Sequence, residues 1–492
     1  MFGMSGKAAM RSVAPREEKV VFRYSLRNEM PGVGIFRGRT EGKVANLTMR
    51  DDHQHVPTRG VCRRNRAALG SAALSVAAVL LTCFFSAAHG AAATELDQWG
   101  HWRGPLGTGA SPTATPPTEF GPINNCGWKQ PIPGRGSSSP VIWDEQVFVT
   151  TAVPVSSGSH ELDFRLLCFD RRTGTQRWER SAIKAVPHEG THSTNGYASA
   201  SPCTDGRHVY AHFGSRGLFC FTMDGDLKWS RDFGDMQTRN EFGEGSSPTL
   251  AGDRIVIPWD HEGPSRLICL NALSGETLWD VPRDEPTCWA TPLVVTMADG
   301  SQQVVMNGQT AARSYDPTSG RELWRCGGQT TRPAASAVAA DGLVFIGSGF
   351  RGAFLGCFDL TGSGDIERTS HVHWTVSRDT PDIASPLLHA GRLWYYKEKT
   401  GLLTCVDAVS GRSHYERQRI PGISRTYASP VAAGGHIFLT DRSGGITVIK
   451  DGQELSVVAT NDMGEGVDAT PAPVGRQLFI RGERHLFCLE RP

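Results

Sequence analysis

Between residues 138 and 472 the chain returns repeatedly to two small residues, a proline and a hydrophobic residue, and no other feature limits its fold so strongly. The run appears as Ser138-Ser139-Pro140-Val141, Ala200-Ser201-Pro202, Ser246-Ser247-Pro248-Thr249, Ala290-Thr291-Pro292-Leu293, Ala384-Ser385-Pro386-Leu387, Ala428-Ser429-Pro430-Val431 and Ala469-Thr470-Pro471-Ala472. A degenerate copy, Ala335-Ser336-Ala337-Val338, fills the one wide gap and brings the count to eight. The step is roughly 47 residues, the length of a four-stranded propeller blade.

The same grammar follows each anchor. An alternating apolar segment such as Gln146-Val147-Phe148-Val149 or Leu343-Val344-Phe345-Ile346 predicts a second strand. A glycine-containing turn leads to a third, as in Leu166-Leu167-Cys168-Phe169-Asp170 and Leu403-Thr404-Cys405-Val406-Asp407. Then Asp or Asn opens a Ser/Thr-Gly turn into a strand bearing Trp, as in Asp170 to Gly174 then Trp178, Asn271 to Gly275 then Trp279, and Asp316 to Gly320 then Trp324. The acidic or amide side chain bonds turn backbone, the glycine accepts positive φ, and the indole supplies an apolar face between sheets. The expected fold is all-β: an eight-bladed β-propeller of four-stranded antiparallel blades. Its closure is legible at the ends. The last copy stops at Leu486 to Leu489 without a Trp strand, whereas Cys126-Gly127-Trp128-Lys129 is a Trp strand with no blade before it. Trp128 should therefore complete the last blade and remove an open edge.

Cysteine usage agrees. Among 12 cysteines there is no C-x-x-C, which removes zinc ribbons, c-type haem attachment and thioredoxin chemistry. Cys168, Cys220, Cys269, Cys357, Cys405 and Cys488 share one register of the third strand, where a small apolar residue is buried and inert. Cys126, Cys203, Cys288 and Cys326 fall outside it, and a disulfide among them stays open. With 51 basic against 50 acidic residues, the chain has no field that draws it to nucleic acid.

Residues 61–93 run from Arg63-Arg64-Asn65-Arg66 through an apolar stretch to Ala88-His89-Gly90 and Ala91-Ala92-Ala93, the pattern of a secretory signal. If uncleaved, about 20 apolar residues would instead anchor the chain in a membrane. Neither the surroundings of Arg63-Arg64 nor Leu81-Thr82-Cys83 fits twin-arginine export or lipidation. Residues 1–60 are assigned no fold and read as disordered or as an overlong gene start, with Met49 an alternative beginning. The propeller is expected over 94–492, and the location in the periplasm or another exported compartment.

Ser-Ser-Pro-Val, Asp-x-x-Ser/Thr-Gly-x-x-x-Trp and eight copies together resemble the PQQ-like β-propeller repeat family. That family includes quinoprotein alcohol dehydrogenases and the propeller lipoprotein of the outer-membrane β-barrel assembly machinery. The opening Trp99 to Gly109, with Trp102-Arg103-Gly104-Pro105, is similar to its exported, uncharacterised members. The resemblance implies, for its dehydrogenases, a quinone over the propeller axis with adjacent cysteines, a Trp floor, calcium ligands and a catalytic Asp. This sequence has no adjacent cysteines and no haem motif, so none of those residues carries over.

Three motifs are set aside on context. His188-Glu189-Gly190-Thr191-His192 matches H-E-x-x-H, but Pro187 and Gly190 argue against the helix that would align its imidazoles, so a polar loop without metal is expected. Gly347-Ser348-Gly349-Phe350-Arg351-Gly352 lies between strands and reads as a hairpin turn. Ser181-Ala182-Ile183-Lys184 lacks companion motifs.

In a propeller the loops entering each innermost strand converge on one mouth, so binding residues should precede the anchors. The positions are His192, Asn195 and Tyr197; Arg239, Glu241 and Glu244; Asp284, Glu285 and Trp289; Arg332; Asp379 and Asp382; Arg425 and Tyr427; and Asp462, Glu465 and Asp468. Extra length in the first blade singles out 153–164 and 184–197. These residues suit a small polar molecule or a protein partner. The expected role is an exported, non-catalytic binding or scaffold module acting as a monomer without cofactor. The alternatives are a PQQ- and calcium-dependent oxidoreductase and a β-barrel assembly factor.

Overall fold

A computed structural model describes residues 95–491. The signal or anchor segment at 61–93 and the unassigned 1–60 lie outside those residues. Among the described residues no helix is long and apolar enough to cross a membrane. Eight antiparallel sheets follow one another around a ring, each running outward from a short innermost strand behind its anchor. In the first blade these strands are Val141–Trp143, Gln146–Pro154, Leu162–Asp170 and Gln176–Ala185. The eighth is Ala472–Val474, Gln477–Arg481, His485–Glu490 and, from the other end of the chain, Cys126–Pro131, with Trp128 opposite Cys488 and Lys129 opposite Phe487. One blade departs from four strands. Gly364–Asp365, from the long connection in the fifth blade, pairs parallel to Glu322–Cys326 and makes the fourth sheet five-stranded.

The register explains the cysteines. Each of the six faces an aromatic or valine on the second strand and, on the fourth, a Trp, or Tyr415 in the sixth blade. Rings meet over the small thiol: Phe148 and Trp178 at 5.8 Å, Tyr210 and Trp229 at 6.0 Å, Phe345 and Trp374 at 5.9 Å. A larger side chain there would force the rings apart. Burial pushes the Cys168 thiol up to about 12, so it is no nucleophile at neutral pH. All ten described cysteines are free, so the disulfide left open by the sequence does not form among Cys126, Cys203, Cys288 and Cys326.

Each indole then reaches the next blade. Trp128 Nε1 donates to the Arg171 carbonyl (2.9 Å), Trp178 to Met223 (2.9 Å), Trp229 to Ala272 (3.1 Å), Trp279 to Pro317 (2.9 Å) and Trp374 to Ala408 (3.0 Å). The ring lies against the turn glycine of that blade: a Cβ on Gly174, whose φ is +72°, would come within 2.6 Å of Trp128. Trp324 is the exception, its Nε1 donating to Gln303 inside its own blade under the added fifth strand.

The second residue of the anchor has a separate task. The backbone N–H of Ser139 donates to the Ser201 hydroxyl, Ser201 to Ser247, Ser247 to Thr291, Thr291 to Ser336, Ser336 to Ser385, Ser385 to Ser429, Ser429 to Thr470, and Thr470 back to Ser139. The eight distances run from 2.8 to 3.1 Å. Eight crowded strands leave these N–H groups no ladder partner, and a buried donor needs an acceptor. A small hydroxyl residue supplies it, and even the degenerate anchor keeps Ser336.

Residues 99–111 cross the axis on the face away from the anchor loops. Trp99 pairs with Ile142 in the first blade, Thr204 in the second donates to Gly100, Thr108 accepts from Leu388 in the sixth, and Gly109 and Ser111 bracket Ala432 in the seventh. Blades two and six stand opposite one another, so the segment plugs that end. At its centre the buried Arg103 guanidinium has no carboxylate; it donates to the carbonyls of Thr108 (3.1 Å), Pro386 (2.7 Å) and Pro430 (3.1 Å). His101 Nδ1 accepts from the Arg103 N–H (3.2 Å), an arrangement only the neutral ring sustains. Desolvation, and then the nearby Arg103 charge, hold that imidazole at about 4 against an ordinary 6.5. On unfolding, His101 gains its ordinary affinity for a proton, so its contribution is full above about pH 6.5 and is lost as the pH falls toward 4. Thermal unfolding between pH 7 and 4.5 should show this decline, and His101→Asn should flatten it; an unchanged slope would show that His101 does not govern it.

Candidate functional site

Above the plug the ring encloses a chamber of about 620 Å³. Its floor is Trp102, whose Nε1 donates to Thr470 Oγ1 (3.3 Å), and its lower wall includes Ser139, Ser201, Ser247 and Thr291 from the hydroxyl belt. Nine of the seventeen rim positions read from the sequence line it: His192, Asn195, Arg239, Trp289, Arg332, Asp382, Arg425, Tyr427 and Asp468. Tyr197 and Glu244 face a smaller neighbouring cavity, and Glu241 enters neither lining, lying beside Gly190. Of the remaining rim positions, Glu285 and Asp284 hold Arg313, Asp379 holds Lys397 at 2.9 Å, and Glu465 holds His485 at 2.6 Å; they fix loops, while Asp462 is exposed.

Aromatic side chains organise the rim. Phe242 stacks on Trp289 at 6.5 Å and meets the His192 ring edge-on at 4.9 Å, and Trp289 Nε1 donates to the Gly243 carbonyl at 2.7 Å. Asn195 Nδ2 donates to the carbonyls of Phe242 (3.0 Å) and Glu244 (3.2 Å), tying the first rim loop to the second. Across the mouth, Tyr427 Oη lies 3.2 Å from Thr194 Oγ1, and the Arg442 guanidinium lies 4.1 Å from the Tyr427 ring centre.

Charge around this rim is uneven. Asp468 is gripped by Arg442 at 2.6 and 2.8 Å, Asp382 lies 3.3 Å from Lys399, and Arg239 pairs with Glu262 at 3.1 Å. Arg332, Arg351 and Arg425 have no carboxylate partner among the described residues. Arg332 lies 3.3 Å from the Phe350 ring centre, adopts φ +47°, leaves its buried Nε without a hydrogen bond, and is held below the ordinary arginine range by burial. A side chain kept in that backbone region needs its surroundings to hold it there, and such residues concentrate at binding sites.

Sequence reasoning missed Trp102, Phe242, Phe350, Arg351 and Lys399. The last three sit in turns between second and third strands, which return to the same face as the anchor loops and so reach the mouth too. Gly347 to Gly352 is the expected turn, yet it carries Arg351 to the chamber. His188 to His192 is a loop, also as expected. Of the two first-blade stretches, 184–197 supplies His192, Thr194 and Asn195 to the chamber, whereas 153–164 forms an elongated hairpin away from it.

The family model described as outer membrane protein assembly factor BamB matches residues 124–244, 225–450 and 313–491. No curated protein matches the sequence. Among solved structures, BamB from Moraxella catarrhalis is similar at 12% identity and a TM-score of 0.51, over 74% of this chain and 99% of that one. Quinohemoprotein alcohol dehydrogenase from Comamonas testosteroni is similar at 11% identity and 0.58, over 80% of each. A europium-containing methanol dehydrogenase is similar at 10% identity and 0.53, over 78% and 89%. At such identities the likeness is one of fold.

Proposed function

The chain belongs to the PQQ-like β-propeller family, and from that premise we propose that it is an exported binding module whose central chamber holds a small anionic ligand. One observation carries the reading: Arg332, Arg351 and Arg425 line a chamber of about 620 Å³ and make no salt bridge among the described residues, while its two carboxylates, Asp382 and Asp468, are paired with Lys399 and Arg442. Phe242, Trp289 and Tyr427 offer flat faces to the ligand body, and the blades hold these groups in place before it arrives, so little ordering entropy opposes binding. Export rests on the basic, apolar and small-residue pattern at 61–93.

The quinone implied by the family's dehydrogenases would also suit these arginines, but its calcium would need free carboxylates beside it. Asp382 and Asp468 are each engaged by a basic side chain, so the residues lining the chamber do not fit that ion.

Calorimetry with small carboxylate, sulfate and phosphate anions should give binding by the full chain. Arg332→Ala should weaken it about 10- to 100-fold, the worth of one charge-assisted contact. Equal affinity for neutral analogues, or an unchanged Arg332→Ala, would defeat the reading. Dye reduction on adding PQQ and calcium would favour the oxidoreductase instead.

A further inference from the structure

The chamber differs between its two sides. Arg332, Arg351 and Arg425 stand on loops of the fifth and seventh blades. Ser139, Ser201, Ser247, Thr291 and Thr470, from the first four blades and the eighth, form the facing lower wall, with Phe242 and Trp289 above it. We propose that the anionic ligand of this chamber is an acidic sugar, a mono- or disaccharide carrying a carboxylate or sulfate group. The inference rests on the anion-binding reading above and gives it a ligand class.

The protons of the hydroxyl belt carry the first argument. Each of these five side chains is only 2–6% exposed, and each accepts a backbone N–H from a neighbouring blade. A serine or threonine hydroxyl also has a proton to give. None of the five donates it to another group among the described residues, although all five line the chamber. A buried donor calls for an acceptor. Water fills that role in an empty chamber, so a ligand that displaces the water has to bring oxygen atoms of its own.

The second argument concerns which oxygens these are. The belt donors are neutral, and the arginine on their side, Arg239, is already paired with Glu262 at 3.1 Å. A polyanion would press charge against a wall that cannot compensate it, and a purely hydrocarbon acid would leave the hydroxyls unpaired. A hydroxylated ring with one acidic group meets both demands. Its oxygens take the belt protons, and its C–H faces pack beside Phe242 and Trp289. The acidic group reaches the opposite side, where Arg332 leaves a buried Nε without a hydrogen bond. The sugar's own O–H groups find acceptors in Asp382 and Asp468, which Lys399 and Arg442 hold in place. At about 620 Å³ the chamber has the volume of a small-molecule site.

The test is calorimetry of the full chain with glucuronate and glucose 6-sulfate, set against acetate, benzoate, inorganic sulfate and glucose. One acidic sugar per chain is expected, bound at least about tenfold more tightly than the three simple anions, because a site built to pair with hydroxyl oxygens rejects analogues that lack them. Glucose, which leaves the arginines empty, should also bind at least about tenfold more weakly. The tighter of the two acidic sugars identifies the acidic group. Ser247→Ala should weaken the acidic sugar about 3- to 10-fold. Ser385→Ala removes the same kind of hydroxyl from the sixth blade, outside the chamber lining, and should not. A smaller margin over the simple anions, or equal losses in the two variants, would overturn the sugar and leave the anion reading standing. Glucose binding as tightly as glucuronate, or no binding by any anion, would overturn both. Should either variant fail to fold, the ligand comparison on the wild-type chain decides.

Discussion

Removing residues 120–133 is expected to abolish cooperative folding of the ring, whereas removing 1–90 takes away none of the described strands and should move the thermal transition far less. Cys126–Pro131 is the outer strand of the eighth blade, and its loss bares the whole edge of His485–Glu490. With it goes Trp128, which packs tilted against the Phe479 ring at 5.9 Å, donates to the Arg171 carbonyl of the first blade and is 7% exposed. Truncating a buried Trp costs about 3–5 kcal/mol by itself, and the deletion also removes the buried Phe120 and Ile132. An exposed edge beside apolar surface favours aggregation. Size-exclusion chromatography and thermal unfolding check this; a deletion variant that stays monomeric and melts within a few degrees of the full chain would show that the ring closes by other means.

Arg103→Ala should be the most damaging single substitution in the plug, costing about 3–5 kcal/mol. It strands the carbonyls of Thr108, Pro386 and Pro430, which belong to three separate segments and meet only at this guanidinium. Burial lowers the side chain only to about 9, so at neutral pH it is charged and its hydrogen bonds are charge-assisted. Arg103→Lys should not restore stability, because a single ammonium cannot span acceptors that a planar fork reaches. Gly109 makes the same point from the other side, since a Cβ there would come within 2.2 Å of the Arg103 guanidinium. Unfolding transitions, with limited proteolysis across 99–111, measure the effect; protection equal to wild type in Arg103→Ala would show that the segment is held by its strand contacts.

The repeat made the fold legible because each blade must solve one packing problem, and the same residue types recur wherever it does. Closure by Trp128 followed from counting Trp strands against blades. The fifth strand at Gly364–Asp365 was hidden because two residues carry no period. Nine rim residues followed from the position of the anchor loops, but Arg351 and Lys399 did not, since the second set of turns facing the mouth was overlooked. Glu244 was misplaced for a different reason: its side chain turns back toward Ser215, and only coordinates show that choice. Trp102-Arg103-Gly104-Pro105 stood out as a motif, yet its path across the axis depends on partners some 280 to 370 residues away.

Because the plug seals one end, the chamber is a blind well and not a conduit. Whatever enters must leave by the same doorway, past Arg332, Arg425 and Tyr427. Residence time is thus set by how those groups part, and substitutions at the threshold should alter release rates even where they leave equilibrium affinity untouched.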